Sequence, residues 1–142
     1  MSHVVVVGAG QAGSSAVVKL RNSGFEGDIT LIGAEKSPPY QRPPLSKKYL
    51  LGEMDVERLY LRPLDFYGEQ NINLRLGETV TNVDALAKTI TVGDDTLNYD
   101  ELVITTGSDP RRLPAAVGGD LDGVYVVRGL DDVNAMEPEF KP

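Results

Sequence analysis

The sequence predicts an α/β fold with a central parallel sheet, and three observations lead to this prediction. Residues 4–7 are four consecutive valines, and such a β-branched run is typical of a strand buried on both faces. A glycine-rich turn follows and opens a helical pattern over residues 11–22. A second apolar run at residues 28–32 then completes the order strand, helix, strand, which predicts a parallel βαβ unit.

The turn after the first strand has the G-x-G-x-x-G pattern, written here as Gly8-Ala9-Gly10-Gln11-Ala12-Gly13. In a dinucleotide-binding unit, the first glycine allows a tight turn and the second lets backbone approach a pyrophosphate closely. The third glycine lets the helix pack against the strand. The helix residues predicted to face the sheet are Ala12, Ala16, Val17 and Leu20. The motif is weak alone, and a βαβ unit without a ligand is the alternative. Its place between strand and helix favours a dinucleotide site at the helix N-terminus.

An acidic residue follows the second strand at the spacing that such a site requires. Glu35 lies twenty-two residues past Gly13, at the end of residues 28–32 and the Gly33-Ala34 turn. An acid at this distance meets the 2′-hydroxyl of an adenosine ribose, and its charge disfavours a 2′-phosphate. The pattern therefore predicts a dinucleotide of the NAD or FAD type rather than NADP.

The rest of the chain predicts further strands, a β-meander and short helices. Residues 105–107, Thr-Thr-Gly, end a predicted central strand, and this turn should converge on the glycine loop because ligands bind beyond the carboxyl ends of parallel strands. Asp131 or Asp132 should cap the last helix. The predicted elements are a stiff proline-rich loop at 37–44, helices at 45–51, 63–70 and 131–136, and strands at 72–76, 78–83, 89–92, 96–99, 99–108 and 123–127.

Composition limits the function classes that need consideration. The chain has 142 residues and a net charge of −7, which argues against a nucleic-acid surface. It contains no cysteine, so disulfides and thiolate metal sites are excluded within it, and the single histidine, His3, supports no metal site. No apolar run is long enough to span a bilayer. We therefore expect a protein without membrane or nucleic-acid partners and, by default, a cytoplasmic location. The sequence leaves the oligomeric state open.

Four segments together resemble the FAD-dependent NADH:ferredoxin reductases of oxygenase electron-transfer chains. The segments are residues 4–13 (VVVVGAGQAG), 40–47 (YQRPPLSK), 102–107 (LVITTG) and 124–128 (VYVVR). The Arg-Pro-Pro-Leu-Ser-Lys part of the second segment is the most discriminating. The resemblance covers essentially the whole chain and implies a Rossmann-like FAD-binding domain in which an antiparallel β-meander forms a crossover.

The resemblance also implies roles for individual residues. Glu35 would meet the adenosine ribose, Val80 the adenine through its backbone, and Lys47 would lie near the flavin ring as the catalytic residue. Arg42 and Arg128 would contact the phosphates. The complete set of implied FAD-binding residues is Gly8, Gly10, Gln11, Ala12, Gly13, Glu35, Lys36, Arg42, Ser46, Lys47, Val80, Thr105, Thr106, Gly107 and Arg128. Related disulfide reductases carry a redox cysteine pair after this βαβ unit, and thiol exchange there is excluded because the chain has no cysteine.

The resemblance further implies a complete enzyme with a second nucleotide domain for NADH, the co-substrate, and a ferredoxin-type iron–sulfur partner. We therefore expect residues 1–136 to be the FAD-binding domain segment, residues 137–142 to be a linker, and the chain alone to do no more than bind FAD. Two alternatives stay open at this point. One is a non-catalytic module that binds adenine dinucleotides, and the other is the FAD segment of a rubredoxin-reductase or nitrite-reductase type flavoprotein.

Overall fold

The computed structural model of the protein describes residues 2–140. Its main helices and strands are, in chain order, β1 (His3–Val7), α1 (Gln11–Asn22), β2 (Asp28–Gly33), α2 (Leu64–Glu69), β3 (Ile72–Leu76), β4 (Val80–Asp84), β5 (Thr89–Val92), β6 (Asp95–Asn98), β7 (Glu101–Ile104) and α3 (Leu130–Met136). Short 3₁₀ or π-type turns lie at Leu45–Tyr49, Val56–Leu59, Ala115–Val117 and Glu137–Phe140.

The chain divides into two compact units. Unit 1 runs to Tyr40 and resumes over Tyr60–Gly107, so it contains every strand named above. Unit 2 comprises Gln41–Leu59 and the chain from Ser108 onward. The predicted boundary between a domain at 1–136 and a linker at 137–142 stays a prediction; its last two residues lie outside the described ones.

Unit 1 is built on a four-stranded parallel sheet in the order β3-β2-β1-β7. The valines of β1 fill its centre: Val5 and Val6 are fully buried, and Val7 pairs with Ile32 of β2 and Ile104 of β7. A separate antiparallel sheet has the order β4-β5-β6, and its β5–β6 hairpin turns at Gly93-Asp94 because Val92 pairs with Asp95. The predicted α/β class, with a parallel sheet and an antiparallel meander, is confirmed.

Two details of unit 1 differ from the sequence-based expectations. Ala12 was expected to face the sheet but is exposed, and the buried residues of α1 are Gly13, Ser14 and Val17. The difference arises because Gly13, which has no side chain, is the point where the helix lies against the Gly8 carbonyl oxygen and Leu31 of β2. The strand expected to be central, β7, is at an edge of the described sheet, and Ile104 is 64% exposed.

Unit 2 departs further from the expectations. The strand expected at 123–127 is absent: this stretch pairs with no described strand, and Val124, Tyr125 and Val127 stay partly exposed. The helix expected at 45–51 is a π-type turn at Leu45–Tyr49, interrupted where Lys47 adopts φ −131° and ψ −113°. Only Leu45 of this turn is buried, so no apolar face supports a longer helix.

The last helix begins as predicted within one residue, but its cap has a different geometry. Gly129 is the residue before α3, and neither Asp131 nor Asp132 occupies that position. Asp132 instead accepts hydrogen bonds through Oδ2 from the backbone N–H groups of Arg128, at 3.0 Å, and Gly129, at 2.8 Å. A carboxylate three residues inside the helix therefore satisfies backbone donors at its start.

Candidate dinucleotide-binding site

The glycine loop joins β1 to α1 and is locked at two points by neighbouring backbone. Gly8 has φ +110°, and a Cβ there would lie 2.2 Å from the carbonyl oxygen of Thr105. A Cβ at Gly13 would lie 2.0 Å from the carbonyl oxygen of Gly8. No side chain fits at either position, because Cβ contacts under 3.0 Å do not occur in practice. Glycine at these two positions therefore allows the loop to pack closely against the backbone at Thr105 and allows α1 to pack closely against the loop.

Gly10 has the opposite environment. No described atom lies within 4 Å of the position that its Cβ would take. Gly10 is the residue before α1, no side chain caps the helix, and its first turn contains no acidic residue. The first N–H groups of a helix have no intrahelical partner, and the helix dipole favours an anion beside them. The loop thus leaves room for an anionic group at the helix start, where Gln11 and Ala12 are exposed.

The turn after β7 lies beside the same loop, as the sequence predicted. The Thr105 N–H donates to the carbonyl oxygen of Val7 at 2.7 Å, which continues the parallel pairing past the end of β7. The Thr105 hydroxyl lies 2.9 Å from the carbonyl oxygen of Gly8 and 3.2 Å from that of Val7. Thr106 and Gly107 follow as exposed residues, and Gly107 has φ +73°. The carboxyl ends of β1 and β7 therefore meet at the glycine loop.

The predicted ribose acid lies at the carboxyl end of β2. The Glu35 carbonyl oxygen accepts a hydrogen bond from the Gly77 N–H at 2.9 Å, and its side chain is partly buried. Lys36 is exposed beside it. Val80 begins β4, where it pairs with Val92 and is half-buried. In unit 1, the carboxyl ends of three strands of one sheet thus position the glycine loop, Glu35 and the 105–107 turn.

Tyr40 was not among the predicted site residues, yet its hydroxyl donates a hydrogen bond to Oε2 of Glu35. The sequence carried a partial signal: Tyr40 opens the YQRPPLSK segment and follows Glu35 by five residues. Periodicity cannot reveal such a bond, because Tyr40 lies in an irregular loop.

The remaining predicted residues belong to unit 2. The guanidinium of Arg42 donates through Nη1 to the backbone carbonyl oxygen of Arg128 at 2.7 Å, so the Arg42 side chain lies against the backbone of the second predicted phosphate-binding residue. Ser46 and Lys47 are exposed, and the Lys47 ammonium donates to the carbonyl oxygen of Pro43 at 3.1 Å.

Two other ionisable groups of unit 1, Tyr67 and Arg75, have structural partners. Burial raises the pKa of the Tyr67 hydroxyl above its usual value, although its contact with Ser14 at 3.4 Å opposes the shift. A hydrogen bond to Glu78 raises the pKa of Arg75, which also contacts Asp95 at 3.0 Å. Within residues 2–140, no group of three or more His, Cys, Asp or Glu side chains is placed to hold a metal ion. No helix in this part of the chain is long and apolar enough to cross a bilayer.

The fold and the glycine loop define a Rossmann-like βαβ unit of the type that binds dinucleotides. A family model of the pyridine nucleotide-disulphide oxidoreductases matches residues 2–142, and the chain belongs to this family.

Several similar proteins within this family are named as reductases of ferredoxin-type proteins. The chain is 42% identical over 138 residues to a ferredoxin–NAD(P)(+) reductase from Sphingomonas sp., covering 96% of this chain and 33% of that protein. It is 42% identical over 134 residues to rhodocoxin reductase from Rhodococcus erythropolis, covering 94% and 31%. A solved covalent complex of putidaredoxin reductase with putidaredoxin matches with a TM-score of 0.90 at 40% identity, over 97% of this chain and 34% of that one. The resemblance to ferredoxin reductases is confirmed, and the chain spans about a third of the length of these relatives.

Proposed function

We propose that this chain binds FAD and forms the FAD-binding portion of an NADH-dependent ferredoxin reductase. The observation that carries the proposal is the contrast within the glycine loop. Gly8 and Gly13 are closed in by backbone, whereas the Gly10 position is open at the uncapped start of α1. This arrangement fits a pyrophosphate, because backbone can approach the anion closely at Gly10 while the N–H groups of Gln11 and Ala12 face it.

In unit 1, the proposed contacts cover the adenosine and pyrophosphate part of FAD. The carboxylate of Glu35 accepts from the ribose hydroxyl, with Lys36 beside it, and the backbone of Val80 meets the adenine. Gly8 and Gly13 hold the loop in shape. Thr105, Thr106 and Gly107 bring a second strand end against the bound group, which is where ligands bind in open α/β sheets.

The unit 2 residues are proposed as FAD contacts on the strength of two resembling segments, Arg-Pro-Pro-Leu-Ser-Lys at 42–47 and Val-Tyr-Val-Val-Arg at 124–128. Arg42 and Arg128 would provide positive charge for the phosphates, and Ser46 a hydroxyl. Lys47 is proposed near the flavin ring, where its charge would favour the electron-rich reduced form. FAD, when bound, supplies hydride and single-electron chemistry; the protein supplies binding, orientation and charge.

For the complete protein, we propose that electrons pass from NADH through FAD to a ferredoxin-type iron–sulfur protein that serves an oxygenase, in the cytoplasm. Relatives named as ferredoxin reductases and the matched complex with putidaredoxin support this proposal. One similar protein is named rubredoxin–NAD(+) reductase, at 38% identity, so a rubredoxin partner is the nearest competing proposal.

Titration of the purified chain with FAD tests the binding proposal. We expect a yellow protein that retains a flavin spectrum through gel filtration, and a colourless protein that takes up no added FAD would contradict it.

The second candidate function is a module that binds adenine dinucleotides without redox turnover. One observation favours this function: the best-defined of the proposed contacts, those of unit 1, involve only the adenosine and pyrophosphate part of FAD. Competition between FAD and ADP separates the two: the module is favoured if FAD binds no more tightly than ADP. Addition of NADH and an electron acceptor to the FAD-loaded chain should give no turnover, since no nicotinamide site is proposed within it.

A further inference from the structure

The hydroxyl group that donates to Glu35 belongs to a buried side chain, that of Tyr40. The Tyr40 side chain is 5% exposed, and its hydroxyl donates to Oε2 of Glu35, whose own side chain is partly buried. A hydrogen bond to an ionised carboxylate is stronger than one between neutral groups. It therefore restricts the rotation of the Glu35 side chain more than a contact with water would.

Both ends of this pair are fixed through their backbones. Pro38 and Pro39 precede Tyr40, both are buried, and the proline ring fixes φ. The Pro39 carbonyl oxygen accepts from the Leu61 N–H at 2.9 Å, and Tyr40 pairs with Tyr60 in an isolated antiparallel bridge.

The backbone around Glu35 is also held in place. The Glu35 carbonyl oxygen accepts from the Gly77 N–H, and the Gly33 carbonyl oxygen accepts from the Glu78 N–H at 3.0 Å. A donor and an acceptor that are each anchored in this way form a preorganised pair.

We propose that Tyr40 is a positioning residue for recognition of the adenosine ribose. It fixes one oxygen of the Glu35 carboxylate, so that the carboxylate meets the ribose hydroxyl in a single orientation. The inference rests on the proposed function, in which Glu35 contacts the ribose of FAD. A carboxylate accepts up to about four hydrogen bonds through its two oxygens, so the bond from Tyr40 is compatible with one from a ribose hydroxyl.

The consequence is a selectivity that depends on the Tyr40 hydroxyl. When a side chain is already ordered, binding does not have to order it, and affinity for the group that it contacts rises. Removal of the hydroxyl should therefore weaken the preference for a ribose over a 2′-deoxyribose, without the loss of the rest of FAD binding.

The test compares dissociation constants for FAD and for its analogue with a 2′-deoxyadenosine, measured by flavin fluorescence with four forms of the chain. These are the wild type, Tyr40→Phe, Glu35→Gln and Tyr67→Phe. Tyr67→Phe is the matched control, because it also removes a buried phenol hydroxyl of unit 1, one that contacts Ser14 instead of Glu35. Thermal unfolding of each variant verifies that it is folded.

We expect the wild type and Tyr67→Phe to prefer FAD by about tenfold, as suits a hydrogen bond to a charged group. Glu35→Gln should remove most of this preference, and Tyr40→Phe should reduce it to about threefold. A folded Tyr40→Phe chain with the full wild-type preference would overturn the positioning role while leaving the proposed function intact. A wild type that binds neither flavin would overturn the proposed function. A wild type that binds both flavins equally would leave FAD binding intact but would overturn the contact between Glu35 and the ribose, and the inference with it.

Discussion

Unit 1 and unit 2 carry predicted FAD contacts in very different surroundings. In unit 1, the contacts lie at the ends of paired strands, above a core in which Val5, Val6 and Leu31 are fully buried. In unit 2, Ser46 and Lys47 lie on a short interrupted turn, and the chain from 108 to 129 contains only one 3₁₀ turn among its described residues. Leu113, Val117 and Leu121 are more than half exposed there.

This difference separates the part of the proposed site that backbone contacts determine from the part that rests on individual side chains. The shape of the glycine loop follows from backbone contacts made within unit 1, so its geometry can be argued directly. The contacts proposed in unit 2 are side chains on irregular segments, and their assignment depends on the resemblance of a sequence motif. If this contrast is correct, substitutions at the glycine loop and in the core of unit 1 should affect folding strongly, and substitutions in the exposed 108–129 segment of unit 2 should affect it weakly.

The largest expected effect is that of Gly13→Val. Its Cβ would meet the Gly8 carbonyl oxygen at 2.0 Å, and the helix and strand would have to separate. We expect loss of the cooperative thermal transition followed by circular dichroism. Gly68→Val is the control, because nothing lies within 4 Å of the Gly68 Cβ position. A cooperative, near-wild-type melt for Gly13→Val would show that the loop is not locked.

A pair of leucines compares the core of unit 1 with the exposed 108–129 segment of unit 2. Leu31→Ala removes a fully buried side chain from β2 and should lower the free energy of unfolding by about 2–5 kcal/mol. Leu121→Ala, at a position that is 66% exposed, should change it by less than about 0.5 kcal/mol. Urea denaturation measures both values. Equal effects would contradict the contrast between this core and the exposed segment.

Arg21 should stabilise unit 1 through backbone contacts that its sequence position did not reveal. Its guanidinium donates to the carbonyl oxygens of Gln70, Phe25, Gly27 and Asn71, at 2.7–2.8 Å. Arg21→Gln should therefore cost about 2 kcal/mol of unfolding free energy, because several carbonyl groups lose a charged donor. Arg112→Gln, at an exposed position, is the control. Similar urea midpoints for the two variants would argue against this role.

The smallest expected effect is at the start of α3 in unit 2. Asp132→Ala removes the acceptor of two backbone N–H groups and should cost about 1 kcal/mol. Asp131→Ala alters the neighbouring exposed carboxylate and should cost less. Thermal unfolding of the two variants decides this point, and an equal loss would show that Asp132 acts only through the helix dipole.

Local patterns in the sequence predicted unit 1 well. The valine run, the glycine spacing and the alternating meander each determine an element through nearby residues, so β1, α1 and β2 appear at nearly their predicted bounds. The errors arise where tertiary contacts decide. The 123–127 stretch has strand-forming residues but no partner strand among residues 2–140. Ala12 is exposed because the helix makes its close approach at Gly13, against Gly8 and Leu31.

The geometry of the glycine loop was predictable to the same degree. Gly8, Gly13 and the 105–107 turn converge as the βαβ pattern requires, because parallel strands end at one edge. The contact between Tyr40 and Glu35 could not be predicted, since it joins an irregular loop to a strand end.

The most direct test of the central claim compares FAD binding by Gly10→Ala and Gly68→Ala. Both positions have open space around the added methyl group, so both variants should fold like the wild type. We predict that Gly10→Ala weakens FAD binding at least about tenfold, equivalent to about 1.4 kcal/mol, because the methyl group occupies the approach to the pyrophosphate. Gly68→Ala should bind as the wild type does. Equal FAD affinities for the two folded variants would contradict a pyrophosphate site at the start of α1.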